Sequence, residues 1–437
     1  MKVAVTTLAF CVAALLALGM VMLYSTSMGM VMRAPGTPQA GTHYLMMQLI
    51  WCALGLGLCM TATSLDYRLL KKVTWPLFIL AVVLLALVLE KHLGSVRGHA
   101  RRWFSFGSVS FQPSELAKLA LIILLAWYGE RFQRQMHTWL RGIVWPGLLI
   151  CPVLGLIFVE PDRGTTILLA AVGGTMLLIA GVRWKYFVPP IVLGIIALAV
   201  SIWQDPMRMK RIFSWLDLEE HKSGVGYQAY QAMLALGAGG WNGLGLGNGR
   251  QKLGFVPEHH TDFIFSIIGE ELGLVATLLV VVVFVVIVIC GIYVALNARD
   301  TFGFLLGSGL TFLIGLQAFI NIGVVTSALP NKGLPLPFIS YGGSNLLAML
   351  TCVGLLFSIA RQSRAREAER PFRRRTQDHR AGADVRSRHG RRLSAGRLRD
   401  RQSAARLLRR HRHVIVDYRR LGAGECRVPR RPLQRRV

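Results

Sequence analysis

Apolar residues in this chain are gathered into long, nearly uncharged runs, and that segregation decides what it can fold into. A soluble core buries apolar side chains without needing them consecutive, whereas crossing a bilayer takes roughly 20 in a row. Just over half of the residues are apolar and only 16% are charged. In hydrocarbon the backbone must pair within its own segment, so helices are the expected spanning element. The reading is an all-α polytopic membrane protein with about ten transmembrane helices. They fall near 4–24, 44–63, 73–90, 113–130, 143–159, 165–182, 187–203, 263–296, 302–326 and 337–360. The run 263–296 is longer than one span needs and is expected to tilt or project. The chain begins Met1-Lys2 and stays apolar to about Ser25 without a small-residue cleavage site, which predicts an uncleaved first helix.

The net charge of +28 misleads if read whole, because it is concentrated after Arg361. No nucleic-acid reading motif accompanies it, so no nucleic-acid partner is expected. Within the first 361 residues, Lys and Arg mark one side. Arg68, Lys71, Lys72, Arg131, Arg134, Arg141, Arg183, Lys185, Arg299 and Arg361 follow the even-numbered helices. By the positive-inside rule that side is the cytoplasm, with both termini inside. One outer loop breaks the rule with Lys91, Arg97, Arg101 and Arg102. Outward positive charge is either an imperfect topology signal or a site for phosphate groups.

The large extracytoplasmic loop is expected between helices 7 and 8, over about 204–261. It carries a basic cluster (Arg208, Lys210, Arg211), an acidic run (Asp217, Glu219, Glu220) and a glycine-rich stretch from Gly237 to Gly249. That stretch lacks the Gly-Lys-Ser/Thr of a phosphate loop and follows no strand. The cysteines show no metal spacing and read as small core hydrophobes. The tail, 362–437, is roughly one-third Arg from Pro371 onward and has no Lys. It reads as a disordered cytoplasmic arm touching anionic lipid or as out-of-frame translation of a GC-rich gene. The second reading is favoured.

Four motifs could carry chemistry. The first runs Pro257-Glu258-His259-His260-Thr261-Asp262-Phe263 and continues to Gly269-Glu270-Glu271-Leu272-Gly273. Asp262 sits where the outer loop enters a membrane helix, where a carboxylate is either functional or a helix cap. The adjacent histidines are weak grounds for a metal. The second holds Arg101, Arg102 and Trp103, then Gln112-Pro113-Ser114-Glu115-Leu116-Ala117-Lys118. Pro113 suits a first helical turn, Ser114 could cap it, and Glu115 and Lys118 share a helix face. That pair is structural glue or site lining, and Trp103 could be only an interface anchor. The third is Glu160-Pro161-Asp162-Arg163-Gly164, with Asp162 a candidate cap. The fourth runs from Asn321 through Asn331-Lys332-Gly333 to Ser340-Tyr341-Gly342-Gly343-Ser344-Asn345. Its prolines and glycines break the helix, which is tolerated at membrane depth where backbone lines a cavity.

Together these motifs resemble the SEDS (shape, elongation, division and sporulation) family over residues 1–361, and Asn331-Lys332-Gly333 resembles its cell-division branch. The resemblance implies a ten-helix bundle that polymerises lipid II into β-1,4 glycan during septal cell-wall synthesis and releases undecaprenyl diphosphate. It implies Asp262 as the essential aspartate, with Trp103, Glu115 and Lys118 matching other family positions. Arg101, Arg102, Lys118, Lys332, Ser340, Tyr341 and Ser344 are candidates for binding diphosphate or sugar. It also implies lipid II as substrate, a class B penicillin-binding protein and other divisome proteins as partners, and the bacterial inner membrane at the division septum as location. A divalent cation (Mg or Mn) could assist, with no organic cofactor expected. Arg163, Gly254 and Asn345 depart from the family's usual residues. An inverting transfer needs a base on the acceptor hydroxyl, assigned to Asp262. Competing readings are a lipid II flippase, an elongation-type polymerase and a scaffold that only recruits a synthase.

Overall fold

A computed structural model describes residues 1–33, 38–90, 92, 94–97, 100–106, 109–220, 222, 224, 226–255, 260–331 and 333–363. The Arg-rich tail beyond 363 and Lys332 lie outside the described residues, and so do the expectations placed on them.

The described residues form twelve helices: α1 Lys2–Arg33, α2 Pro38–Ser64, α3 Leu70–Val88, α4 Pro113–Arg131, α5 Trp145–Val159, α6 Arg163–Ile179, α7 Val188–Trp203, α8 Pro206–Leu216, α9 Tyr227–Gly239, α10 Ile264–Leu296, α11 Thr301–Val325 and α12 Gly343–Ser363. Eight stretches are long and apolar enough to cross a membrane, and the chain is a multi-pass membrane protein. The two expected spans missing from those eight are α4, which carries Glu115 and Lys118, and α6, which has 17 residues. Counting both, the described residues hold ten such helices, with α8 and α9 inside the long connection between the seventh and eighth. Ser358 donates to the Leu65 carbonyl and Arg361 to that of Ser64, placing the ends of α12 and α2 together. Lys71 bonds Glu130 (2.7 Å) and Asp300 (3.4 Å) at that same end, where the basic loops gather. The opposite end of α10 holds Asp262.

α4, α11 and α12 are largely buried, and α7 is the least buried of the eight. Small residues in α11, among them Gly307, Ser308 and Gly309, let neighbouring backbones approach, as membrane bundles need in place of hydrophobic drive. The connection before α4 holds a three-stranded antiparallel sheet outside the spans, which the sequence reading did not mark. It comprises β1 Ser95–Arg97, β2 Ala100–Phe106 and β3 Val109–Phe111, in that order. Strands this short leave too little alternation to read from sequence.

The length of the 263–296 run has a specific cause. Gly273 leaves helical geometry at φ 79°, so 264–272 is a separate lead segment bent from the rest of α10. The left-handed backbone there favours glycine. Gly243 packs against this break so closely that an added Cβ would lie 2.2 Å from the Glu271 carbonyl oxygen.

Candidate active site

The glycine-rich stretch is a clasp on that bend. Leu244 and Gly245 donate backbone N–H groups to the Glu270 and Glu271 carbonyls at 2.9 and 3.0 Å. The Glu270 carboxylate accepts from the amides of Arg250 and Gln251. The Glu271 carboxylate accepts from Gly247 N–H (3.1 Å), the Ser25 hydroxyl (2.7 Å) and Lys252 Nζ (2.6 Å). Both glutamates and Lys252 are buried. A charge removed from water must be paired and hydrogen-bonded, and here the loop supplies both. The sequence shows the glutamates and the glycines but not that they meet.

At the start of the lead segment, Phe263 takes the cap position without a side-chain cap. Asp262 therefore stands one residue outside the helix and is not its cap. Its carbonyl accepts from Asn321 Nδ2 at 2.8 Å, and the same nitrogen donates to the Leu334 carbonyl at 2.6 Å. Its half-buried carboxylate rests on Gly333, where an added Cβ would lie 2.3 Å from Oδ2. The Tyr341 amide donates to the His260 carbonyl, and the rings of Tyr44, His260 and Tyr341 cluster with centroids 5.1–6.1 Å apart. The irregular 326–342 segment thus wraps the residue on one side while α11 fixes it on the other.

That segment is held by polar groups inside the bundle. The Ser340 hydroxyl accepts from the Leu336 amide (2.8 Å), and Gln48 bonds the Ser340 carbonyl and the Gly342 amide. The Ser344 hydroxyl accepts from the Gln112 amide and donates to the Ser110 carbonyl. Both serines are buried, and these contacts place them in the support of the segment. Lys118 is fully buried. It donates to Glu115 Oε1 at 2.8 Å and Gln317 Oε1 at 3.1 Å, and Gln317 passes the network to Asn345 and the Pro335 carbonyl. Glu115 Oε2 meets no protein donor among the described residues. Ser114 does not cap α4: its buried hydroxyl has no partner among the described residues, and Pro113 marks the first turn. Gln48, Gln317 and Ser25 were missed as network members. Polar residues inside apolar runs are the signal that marks them.

The third motif meets the second. Asp162 caps α6, accepting from the Thr165 amide at 3.1 Å and hydroxyl at 3.0 Å. Arg102 reaches across from β2, donating to the carbonyls of Glu160 (3.1 Å) and Pro161 (2.8 Å), with Asp162 at 3.9 Å. The β1–β2 register shifts here, with Ser95 opposite Trp103 and Val96 opposite Arg101, so Arg102 is the extra residue of a bulge, a feature that re-aims a side chain. The Trp103 carbonyl accepts from Ser95. Glu160 is fully buried, and neither carboxylate oxygen meets a protein donor among the described residues. Burial, then the neighbouring Asp162 charge, push its carboxyl up to about 8, against the pull of Arg102. Between this turn, α7, α8 and Gly333 lies a cavity of about 290 Å³. Gly333 lines this cavity and also lies against the Asp262 carboxylate.

Among the described residues no cluster of three or more His, Cys, Asp or Glu side chains could hold a metal ion.

A bundle with ionisable residues at depth, a carboxylate at one mouth and a basic hollow beside it defines a membrane-embedded protein that handles a polar or anionic group at the bilayer surface. The comparisons with known proteins narrow this. A family model described as cell cycle protein, FTSW_RODA_SPOVE, matches residues 6–365. The chain belongs to that family. It is 38% identical over 347 residues to a protein of Geobacter metallireducens named probable peptidoglycan glycosyltransferase FtsW, covering 79% of this chain and 92% of that one. A Pseudomonas fluorescens protein of the same name is 38% identical over 355 residues, covering 80% and 86%. Among solved structures, a chain of a peptidoglycan synthase complex that coordinates polymerization and crosslinking superposes with TM-score 0.66 at 29% identity, covering 82% and 97%. The Thermus thermophilus rod shape determining protein RodA superposes at 0.59, also at 29% identity, covering 82% and 96%.

Proposed function

We propose that this chain is a peptidoglycan glycosyltransferase that polymerises lipid II into β-1,4 glycan during septal wall synthesis and releases undecaprenyl diphosphate. The observation that carries it is the placement of Asp262. It lies at the end opposite the basic loops, half-buried, fixed through its own backbone by Asn321, and next to a cavity rich in arginine. In the reaction the acceptor sugar hydroxyl attacks the anomeric carbon of the donor. The new C–O bond forms as the bond from that carbon to the diphosphate oxygen breaks. The hydroxyl proton passes to the Asp262 carboxylate, and the electron pair leaves with the diphosphate. Negative charge builds on that leaving group, so preorganised cations are worth most there. The same relatives' names favour the division branch over the elongation branch. A class B penicillin-binding protein is the proposed partner, since the superposing chain comes from a complex that also crosslinks. The proposed location is the bacterial inner membrane at the septum, with both termini in the cytoplasm.

The test is purified protein with lipid II, run with and without that partner, and glycan products resolved on a gel. Wild type is expected to polymerise. Asp262→Asn is expected to insert and fold but make no polymer. Near-normal synthesis by a correctly inserted Asp262→Asn protein would remove the base role, and transport of lipid II without polymer would replace the enzyme with a flippase.

A further inference from the structure

The cavity beside Gly333 is lined by four guanidinium groups, Arg102, Arg163, Arg208 and Arg211, and by one carboxylate, Asp162. They come from three distant parts of the chain: β2, the start of α6, and α8. Asp162 is committed to the α6 cap and to Arg102. Arg208 is partly balanced by Asp205 at 2.9 Å and steadied by the Ser201 hydroxyl and carbonyl. Arg163 lies over the Phe158 ring at 3.7 Å and bonds Ser201. Arg211 is exposed, and its guanidinium has no hydrogen bond or ion pair among the described residues. Glu160, buried under the same turn, does not line the cavity, and burial favours its neutral form. The hollow therefore carries a clear positive excess.

Its other wall is apolar. Leu198 and Ile202 of α7 line it, and α7 leaves Ile191, Leu193, Ile195 and Ile196 exposed. A second hollow of about 570 Å³ shares Arg163 and Arg208 and adds Ala197 and Val200 of the same helix. A cationic pocket at the end of an uncovered apolar helix suits an amphiphile with an anionic head and a hydrocarbon tail. A diphosphate needs several donors at once, and guanidinium forks match phosphate oxygens in pairs. Lys118 cannot serve it, being fully buried against Glu115 and Gln317.

We infer that Arg208 and Arg211 of α8, with Arg102, form the binding site for the diphosphate of a polyprenyl-diphosphate substrate, its isoprenoid chain lying along α7. This rests on the glycosyltransferase reading and assigns the head-group site within it. Asp262 reaches the same place across Gly333, so the bond to be broken would lie between the arginines and the carboxylate.

The test is equilibrium binding to the full chain in nanodiscs of zwitterionic lipid, with radiolabelled undecaprenyl diphosphate as the probe. It is made in an Asp262→Asn background so that binding is read without turnover. Arg208→Gln/Arg211→Gln is expected to weaken binding at least about tenfold, as losing two charge-assisted contacts should. Lys210→Gln removes an equal charge from the same helix outside the cavity and is expected to change nothing. Undecaprenol, which lacks the diphosphate, should be indifferent to all three changes. Arg211→Gln alone removes no internal contact, so it serves if the double variant does not fold, with a smaller loss expected. Unchanged binding in the arginine variants, or an equal loss with Lys210→Gln, overturns the site. Equal competition by inorganic diphosphate overturns the lipid part of the assignment. If Asp262→Asn proves active while the arginine variants lose binding, the base role fails and this site stands.

Discussion

Lys252→Met should loosen the outer loop without unfolding the bundle. Lys252 and Glu271 are 3% and 0% exposed, and their ion pair spans 2.6 Å. Methionine keeps the stem's volume and removes the charge. Glu271 would then remain a buried carboxylate with only the Ser25 hydroxyl and the Gly247 amide as donors. Stranding one member of a buried pair costs about 3–5 kcal/mol. Those two remaining donors argue for the low end, and about 3 kcal/mol multiplies a local opening constant roughly a hundredfold.

Hydrogen exchange followed by mass spectrometry reads this directly. Peptides holding the amides of Leu244, Gly245, Gly247, Arg250 and Gln251, all donors to the two glutamates, should exchange about a hundredfold faster. Peptides from α11 and α12 should not change. Adding Glu271→Gln removes the stranded charge and should restore more than half of the protection, since replacing both members of a buried pair is far milder than removing one. Wild-type exchange in Lys252→Met, or equal acceleration throughout the bundle, would refute the idea that this pair holds the loop to the bend at Gly273.

Gly333→Ala should leave the thermal transition nearly unchanged and abolish glycan synthesis, because its Cβ would displace the Asp262 carboxylate from 2.3 Å, and a side chain end moves more cheaply than backbone. A gel of polymer products beside a melting curve checks both halves. Glu160→Gln should remove a pH dependence of stability. The unfolded chain ionises this group near 4.5 and the folded chain near 8, so folding takes up a proton between those values. Wild-type stability should therefore fall as pH rises across that window, by on the order of a few kcal/mol in total, and level off above it. Melting temperatures of the two proteins from pH 5 to 9 should converge at the acid end and separate toward the alkaline end.

Much of the architecture was legible because the bilayer makes a local demand. Each span must be apolar along its own length, so ten positions could be marked without knowing any neighbour. The Glu115–Lys118 pair and the Asp162 cap were legible for a similar reason, since both partners lie within one helical turn. What escaped is long-range. Gly243 and Gly273 meet across thirty residues, Ser25 and Lys252 across most of the chain. Arg102 and Arg211 share a cavity only because β2 and α8 converge on the 160–163 turn. Arg102 reaches the 160–161 carbonyls from a bulge in a strand too short to be seen in the sequence.

The two halves of the proposed site are built to different tolerances, and the chemistry explains why. A base must come within about 2.6–3.2 Å of the proton it takes. Asp262 accordingly begins a lead segment fixed at both ends: by Asn321, Gly333 and the Tyr341 amide at its start, and by the glutamate clasp at Gly273. Coulomb attraction falls only as the inverse of distance, so cations that meet a departing diphosphate need far less exact placement. Two of them, Arg208 and Arg211, are carried on α8, an amphipathic helix in the connection after α7, the most exposed span of the bundle. A helix so loosely embedded can yield as a lipid-linked head group enters and leaves, while the carboxylate across Gly333 keeps its position.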